Sequence, residues 1–182
     1  MQLMNPEMLL HICCAPDATV PVMDLLSQGR HVRGFFYGSN IHPYEEYARR
    51  LEAVKILAAK TNLEVEIAEY NPDEWLIATR DLRDEPEGGK RCDVCFRLQF
   101  EAAARHGKIG ENFCTSLTIS PHKNVQKIFA IGSQIASKYN LDWQNIIWRK
   151  NDGFKRSVQI SRELGLYRQN YCGCMCSYRP YL

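Results

Sequence analysis

The sequence predicts an α/β domain in which a parallel sheet is flanked by helices. Short apolar stretches alternate with longer segments of helical periodicity, and the connections between them are short. This alternation is typical of βαβ units, which place their strands parallel to one another. The 182 residues contain no internal repeat and no low-complexity linker, so we predict a single α/β domain over residues 1–182.

The first half of the chain carries three predicted strands. Met8 to Ile12 is almost entirely apolar and is predicted to be a buried strand. A break is expected at Pro16, followed by a helix from Ala18 to Gln28 with Asp17 as its N-cap and Gly29 just past its end. The other predicted elements are strands at 32–37 and 64–69 and helices at 44–60 and 72–79.

The second half begins with a charged, glycine-rich segment, residues 81–91, which we predict to be a loop. Ser120 is a good N-cap and Pro121 is tolerated in a first turn, so a helix is expected from His122 to Tyr139. The other predicted elements are a helix at 93–106, a strand at 112–117, a short strand or connector at 141–150 and a helix at 153–164. The tail from Leu166 to Leu182 has little periodicity, and we expect it to fold back over the site.

Charge and hydropathy exclude several classes of protein. The formal net charge is +2, so no strong overall field demands an anionic partner, although a local basic patch is compatible with this value. No stretch is as long and apolar as a membrane span, and the first residues lack the layout of a signal peptide. We therefore expect a cytoplasmic protein that does not act at a membrane.

Cysteine is the most informative residue type in the sequence. A cytosol keeps thiols reduced, so metal binding or redox catalysis is favoured over structural disulfides. Seven of the eight cysteines fall in three tight groups, which random placement would not produce. The groups are Cys13-Cys14, Cys92-x-x-Cys95 and Cys172-x-Cys174-x-Cys176, and Cys114 stands alone.

Cys13 and Cys14 lie where the first strand ends and the first helix begins. The carboxyl ends of parallel strands form the edge at which open α/β sheets bind ligands. Two ordinary buried cysteines are the alternative, but a pair beside Pro16 and Asp17, in a chain with two further groups, favours chemistry. Asp17 itself could cap its helix, ligate a metal or transfer a proton.

Cys92 and Cys95 open a predicted helix, whose dipole and free N–H groups favour the thiolate that binds metal. The pair fits one arm of a zinc site, a thioredoxin-like redox pair or part of an iron–sulfur cluster. Together with Cys13 and Cys14 it supplies four thiolates, the usual complement of a [4Fe–4S] cluster. Adjacent cysteines strain the S–metal–S angle at one zinc ion, so the cluster is favoured over zinc.

Cys172 and Cys174 are separated by one glycine, the residue most able to form a tight turn. Such a pair can form a small, strained disulfide that is easily reduced, or either sulfur could ligate a second metal. The alternative is a cysteine-rich tail that only packs. Cys114 and Cys176 are expected to be structural.

The histidines and cations supply candidates for substrate contact. His11, in the first strand, is expected to be a core residue, whereas His42 and His122 precede or begin helices at the ligand-binding edge. Cations that contact phosphates, together with aromatic rings that stack on bases, are how single-stranded RNA is usually bound. Solvent-exposed helix faces that bind nothing would have the same composition. The residues concerned are Lys123, Lys127, Arg149, Lys150, Lys155, Arg156, Arg162, Arg168, Arg179, Tyr167, Tyr171 and Tyr178. The sequence contains no Walker A, G-x-G-x-x-G or radical-SAM motif.

A set of motifs covers nearly the whole chain. They are His11-Ile12-Cys13-Cys14-Ala15-Pro16-Asp17, Phe35-Phe36-Tyr37 through Asn40-Ile41-His42-Pro43, Arg91-Cys92-x-x-Cys95, Ser120-Pro121-His122-Lys123-Asn124, Arg156-Ser157 and Leu166-Tyr167-Arg168-Gln169-Asn170-Tyr171-Cys172-Gly173-Cys174. In this order they resemble one family, the cobalamin-independent epoxyqueuosine reductases of the QueH type. The resemblance implies an iron–sulfur enzyme on a fold like that of nucleotide-binding α/β hydrolase and PP-loop proteins.

The resemblance also implies an activity, the last step of queuosine synthesis. In that step the epoxide on the cyclopentane ring of a modified base, in the anticodon of tRNA, is reduced to an alkene. By position, the cysteines that match the family's cluster ligands are Cys13, Cys14, Cys92 and Cys95. Cys172 and Cys174 match a C-terminal redox pair, or alternatively help to hold an additional iron. Cys114 and Cys176 depart from the pattern.

Removing an epoxide oxygen needs two electrons, a Lewis acid for the oxygen and a proton source. A [4Fe–4S] cluster passes one electron at a time, and a neighbouring iron or an open cluster iron could polarise the epoxide. Asp17 or a nearby histidine could deliver the proton. We expect the tail to close over the flipped base, with Cys172 and Cys174 completing the electron path from an external donor. The rivals are a tRNA-binding protein with structural zinc and a thiol-based tRNA sulfur transferase, which the missing phosphate loop disfavours.

Overall fold

In the part of the chain that the structure describes, five parallel strands form one sheet in the order β3-β2-β1-β4-β5. The computed structural model describes residues 7–178, so Arg179 and the last residues of the predicted tail lie outside the described range. The strands are β1 (Met8–Ile12), β2 (Val32–Phe36), β3 (Glu64–Ile67), β4 (Asn112–Thr115) and β5 (Asp142–Trp143). The helices are α1 (Ala15–Ser27), α2 (Tyr44–Thr61), α3 (Pro72–Thr79), α4 (Lys90–Ala104), α5 (Val125–Lys138) and α6 (Gly153–Glu163).

Helices cover both faces of the sheet, and β1 at its centre is completely buried. Successive residues of a strand point to opposite faces, so Leu10 packs into a cluster with side chains of α1 and α2 while Leu9 packs against Phe100 and Phe113 on the other face. Burial on both faces is what makes β1 a nearly continuous apolar run. The predicted α/β fold class, a parallel sheet flanked by helices, is therefore confirmed.

The order of the strands fixes where a ligand can bind. From β1 the chain proceeds outward through β2 and β3, and then returns to place β4 and β5 on the opposite side of β1. The carboxyl ends of β1 and β4 therefore flank a topological switch point, the crevice in which open α/β sheets bind ligands. Cys13 follows β1 there, and its backbone N–H donates to Ser116 Oγ, just after β4, over 3.0 Å.

The predicted start of α1 was wrong. The helix begins at Ala15 with Cys14 as the N-cap residue, so Pro16 lies within its first turn instead of breaking the chain before it. A proline there loses nothing, because the first N–H groups of a helix have no intrahelical partner. Asp17 is consequently a residue of the first turn, and the predicted N-capping role is wrong.

Two other helix starts also differ from the prediction. α5 begins at Val125 after Asn124, whose side chain accepts from the N–H of Lys127, so Ser120 is not its N-cap. Helix α4 begins at Lys90, which places Cys92 inside its first turn. The rest of the predicted loop at 81–91 contains a short 3₁₀ turn, Arg80–Leu82.

The C-terminal tail folds back over the switch point, as predicted. It leaves α6 through a turn at Gly165, which has a positive φ of 66°, and ends in a short 3₁₀ turn at Met175–Ser177. The ambiguous segment 141–150 proves to be the two-residue strand β5 followed by a connector. Within residues 7–178, no helix combines the length and apolar character needed to cross a bilayer.

Candidate metal centre

A cavity of about 330 Å³ opens at the switch point. Its volume lies at the lower end of the range typical of small-molecule sites. Six thiols and the Asp17 carboxyl line it, and the thiols are those of Cys13, Cys14, Cys92, Cys95, Cys172 and Cys174. The fold therefore brings together three cysteine groups that are far apart in sequence.

The N-terminus of α1 places two thiols and one carboxyl side by side. The sulfurs of Cys13 and Cys14 and a carboxylate oxygen of Asp17 all lie within 4.8 Å of one another. Their proximity makes these three groups a candidate set of ligands for a metal ion. Hydrogen bonding with Cys14, and then burial, raise the pKa of the Cys13 thiol, while burial raises the pKa of Asp17.

The second thiol pair lies on the first turns of α4, on another side of the cavity. The backbone N–H of Gly88 donates to Cys92 Sγ over 3.1 Å, and Gln99 Nε2 donates to Cys95 Sγ over 3.1 Å. Cys95 is buried, and that burial raises the pKa of its thiol well above the usual value. For Cys95, burial therefore outweighs the helix N-terminus, and a bound cation would be needed to stabilise its thiolate.

Arg50, on α2, holds the tail in place over the cavity. Its guanidinium donates to the carbonyl oxygens of Tyr171 and Cys172 over 3.0 and 2.9 Å, and to the Glu46 carboxylate over 2.8 Å. The residue between the two tail cysteines, Gly173, has a φ of 141°, a conformation that other residues rarely adopt. These bonds determine where Cys172 enters the cavity.

Lys123 is a cation in direct contact with Cys172, one of the tail cysteines. Its ammonium donates to Cys172 Sγ over 3.1 Å and contacts Glu87 at 3.3 Å, and its side chain is only 11 % exposed. Burial opposes its charge, but the Cys172 sulfur and Glu87 more than offset this and raise the pKa of Lys123. In return, Lys123 opposes the rise that burial causes in the pKa of Cys172.

The histidines divide differently from the prediction. His11 lies in the core, where its Nδ1 and Thr115 Oγ1 are 2.9 Å apart and burial lowers its pKa to about 3. His122 lines the cavity and is exposed. His42 is buried behind the site, with its ring 5.0 Å from that of Trp75, so the structure does not place it at the cavity as a substrate contact.

Among the described residues, most cations of the predicted basic groove do not line the cavity. Arg156 donates to Asp24 over 3.0 Å, and Lys127 pairs with Asp93 at 3.1 Å. Arg168 is the member of that set which, with Lys123, lines the cavity. Within residues 7–178, two of the predicted cations, Lys123 and Arg168, therefore contribute to the cavity.

Several polar residues of the site were not identified from the sequence. Ser116 Oγ donates to Cys13 Sγ over 3.2 Å, and Gln169 Nε2 donates to Cys14 Sγ over 2.8 Å. Gln99 lies four residues after Cys95 and one helical turn further along the same face, a spacing that could have revealed it. For Gln169 the available signal was its position in the motif that precedes Cys172.

Cys114 and Cys176 differ from the other six cysteines. Cys114 is buried in the core cluster that includes β1, and burial raises the pKa of its thiol to about 12. Cys176 is half-buried and packs against Trp75, Cys95 and Cys174. Neither residue lines the cavity.

A parallel α/β fold whose switch-point cavity is lined by six thiols and a carboxyl defines a class of protein, a thiol-rich enzyme with a candidate metal site. A family model described as "Epoxyqueuosine reductase QueH" matches residues 8–180. Proteins of that name from Thermotoga maritima and Streptococcus pyogenes are 40% and 39% identical to the chain. These matches cover 93% and 94% of the chain, and 88% and 70% of the respective relatives.

The chain belongs to the epoxyqueuosine reductase QueH family. Its predicted class, an oxidoreductase of queuosine biosynthesis, is thereby confirmed, and membership of a tRNA-modifying family implies a tRNA substrate. The fold is similar to a crystal structure described as a predicted subunit of a tRNA methyltransferase from Methanocaldococcus jannaschii. That likeness has a TM-score of 0.58, 10% identity and coverage of 87% of this chain and 75% of the other, and shows the fold alone.

Proposed function

We propose that the chain reduces the epoxide of epoxyqueuosine, in the anticodon of tRNA, with a [4Fe–4S] cluster held by the thiolates of Cys13, Cys14, Cys92 and Cys95. The observation that carries the proposal is the convergence of two sequence-distant cysteine pairs on one cavity at the switch point. Four thiolates are the usual ligand set of such a cluster. A cubane is larger than one ion, so its ligands surround a volume and need not meet at a point.

The surroundings of these sulfurs fit that group. Each of the four accepts a hydrogen bond from a neighbouring N–H or O–H group, and the donors are Ser116, Gln169, Gly88 and Gln99. Such donors favour the charged thiolate over the thiol, and the thiolate is the form that ligates iron. The cluster would supply single electrons, and because four thiolates would occupy all four of its irons, an additional mononuclear iron beside Asp17 would act as Lewis acid.

Two groups of the chain complete the chemistry. Converting an epoxide to an alkene and water consumes two electrons and two protons. Oxidation of the Cys172 and Cys174 thiols to a disulfide releases the same number of each, and an external donor then restores the dithiol. Asp17, inside the cavity, is the group assigned to deliver a proton to the departing oxygen.

The cavity also suits a base removed from its stack. Arg168 and the exposed His122 line it, together with Phe154, an exposed aromatic residue at the start of α6. A cation for phosphate and rings for stacking are how single-stranded RNA is commonly held. This arrangement supports entry of the modified anticodon base.

The test begins with metal analysis of protein purified without oxygen. Iron and sulfide near four per chain, a broad brown absorption and an EPR signal after reduction are expected. The assay then follows the conversion of epoxyqueuosine to queuosine in tRNA by mass spectrometry of the released nucleosides. Colourless protein with stoichiometric zinc, or iron-replete protein that leaves the epoxide intact, would overturn the proposal.

Single cysteine variants make the assignment specific. Changing any of Cys13, Cys14, Cys92 or Cys95 to serine should lower the iron content and abolish turnover. Changing Cys172 and Cys174 together should retain the cluster but abolish multiple turnover. Cys114→Ala is the matched control, because that thiol is buried in the core and is expected to leave both iron content and turnover intact.

A further inference from the structure

Among the described residues of the tail, Gln169 is the one that donates a hydrogen bond to a sulfur assigned to the cluster. Its Nε2 lies 2.8 Å from Cys14 Sγ. The oxygen of the same amide, Oε1, is buried and has no hydrogen-bond partner among residues 7–178. Gln169 is one of the residues that line the cavity, so a ligand that enters the cavity comes next to this side chain.

The chemistry of Cys14 fixes the orientation of this amide. A metal-bound thiolate has no proton and can only accept hydrogen bonds, so the NH₂ group of Gln169 must face it. The carbonyl oxygen is then directed away from the sulfur. A buried carbonyl oxygen without a partner is costly, and an unsatisfied acceptor in a ligand cavity is readily explained by a donor that arrives with the ligand.

We propose that Gln169 links the substrate to the cluster, with its N–H bonded to the Cys14 sulfur and its oxygen accepting an N–H or O–H group of the modified base. The proposal rests on the proposed function, since it needs both the cluster and the tRNA substrate. Gln169 acts in it as a positioning residue for the base and as a modulator of the cluster through Cys14.

The two bonds of the amide are coupled. A hydrogen bond to a ligand sulfur stabilises the more negative, reduced cluster and raises its reduction potential. A donor at Oε1 polarises the amide and strengthens the N–H···S bond at its other end. Substrate binding should therefore raise the potential of the cluster, and by linkage the reduced enzyme should bind substrate more tightly.

The other sulfur donors offer a contrast within the same chain. Ser116 Oγ donates to Cys13 Sγ, but it also accepts from the backbone N–H of Cys13, so it already has partners on both sides. It lies just after β4, in the framework of the sheet and not in the tail. Ser116→Ala is therefore the matched control, because it removes a hydrogen bond to a sulfur without removing a group that is free to meet the substrate.

The experiment is an anaerobic redox titration of the holoenzyme, followed by EPR, with and without tRNA that carries queuosine, the product, because the reduced cluster would convert the epoxide during the titration. KM is measured separately with tRNA that carries the epoxide. Wild-type protein should show a higher midpoint potential when the tRNA is bound. In Gln169→Met, which keeps the length but has neither amide group, the potential should fall and should no longer respond to the tRNA. Its KM should rise about tenfold, as expected for one lost hydrogen bond.

Two further variants separate the halves of the proposal. Gln169→Glu keeps the acceptor but loses the donor, so its potential should fall while its KM stays near that of the wild type. Ser116→Ala should lower the potential yet retain the shift caused by the tRNA. If Gln169→Met does not retain its iron, the Gln169→Glu protein is used instead. Its reduction potential then tests the hydrogen bond to Cys14, and its KM tests the hydrogen bond to the substrate.

The outcomes distinguish this inference from the proposed function. An iron-free wild-type protein would overturn the proposed function, and this inference with it. An iron-replete, active wild type together with a Gln169→Met variant of unchanged potential, or of unchanged KM, would overturn this inference alone. A Ser116→Ala protein that loses the tRNA-dependent shift as completely as Gln169→Met would also refute it.

Discussion

Replacing Arg50 with methionine tests how the tail is held over the cavity. The side chain of Arg50 is 2% exposed, and its guanidinium is shared between the Glu46 carboxylate and the carbonyl oxygens of Tyr171 and Cys172. It also lies 5.0 Å from the centre of the Tyr171 ring. Methionine fills much of the same volume but can make none of these polar contacts.

The expected loss follows from what is left behind. Glu46 is 3% exposed, so Arg50→Met leaves a buried carboxylate without its main partner, which costs about 3–5 kcal/mol. A domain of this kind is stable by roughly 5–15 kcal/mol, so the variant should fold but with a large deficit. Arg50→Met combined with Glu46→Gln removes the stranded charge and should recover about 1–2 kcal/mol of that loss.

Two measurements separate the general effect from the local one. Denaturant unfolding of the reduced, metal-free chain gives the free energies for the wild type, both single variants and the double variant. Alkylation of Cys172, followed by peptide mass spectrometry under native conditions, reports how well the tail is docked. The reaction should be faster in both variants that lack Arg50, because the carbonyl oxygens of Tyr171 and Cys172 have lost their donor.

The reasoning would be refuted by either of two results. A loss below about 1 kcal/mol in Arg50→Met would show that the Glu46 carboxylate does not depend on Arg50, since Tyr167 and Arg49 also contact its other oxygen. If Arg50→Met is destabilised but its Cys172 is alkylated at the same rate as in the wild type, the tail is held by other contacts. A double variant no more stable than the single one would exclude the stranded charge as the cause.

Three more predictions concern the same region. Gly173→Ala should destabilise the docked tail by about 1–3 kcal/mol, measured by unfolding and Cys172 alkylation, because its φ of 141° disfavours any side chain and the new methyl group would lie 3.2 Å from Arg50. Lys123→Met should raise the pKa of Cys172, measured from the pH dependence of its alkylation, whereas Lys123→Arg should largely preserve it. Burial lowers the pKa of His42, so the unfolded chain binds a proton at this residue more readily than the folded chain does. The free energy of unfolding should therefore fall as the pH drops below about 6.5. Denaturant unfolding at a series of pH values should show that His42→Phe removes part of this fall.

Apolar periodicity was sufficient for the elements whose burial is regular. β1 could be located because both of its faces are covered, and α2 because its apolar residues recur on one face. The same signal gave the alternation of strands and helices, and from it the parallel sheet. The order of the strands, and hence the switch point, depends on pairing between distant segments and could not be read from local pattern.

The predicted position of proline relative to the helix start was wrong in opposite ways at two helices. Pro16 lies inside the first turn of α1, whereas Pro121 lies in an irregular turn before α5 begins. Local sequence cannot distinguish these cases, because proline is compatible with both. At Pro121 a tertiary contact favours the irregular turn. The guanidinium of Arg149 donates to the carbonyl oxygens of Ser120 and Lys123 over 2.9 and 3.0 Å and holds that segment out of the helix.

The cysteine groups could be recognised in the sequence because the spacing within each group is local, whereas the environment of their sulfurs is assembled from the whole fold. The four donors come from a loop, from the turn after β4, from α4 and from the tail, and their residue types are unremarkable. Gln99 alone lies at a helical spacing from its sulfur, and Gln169 is separated from Cys14 by most of the chain. If these bonds set the charge that the sulfurs can bear, then substitutions at common polar residues should change the properties of the metal centre as specifically as substitutions at its ligands, and without removing the metal.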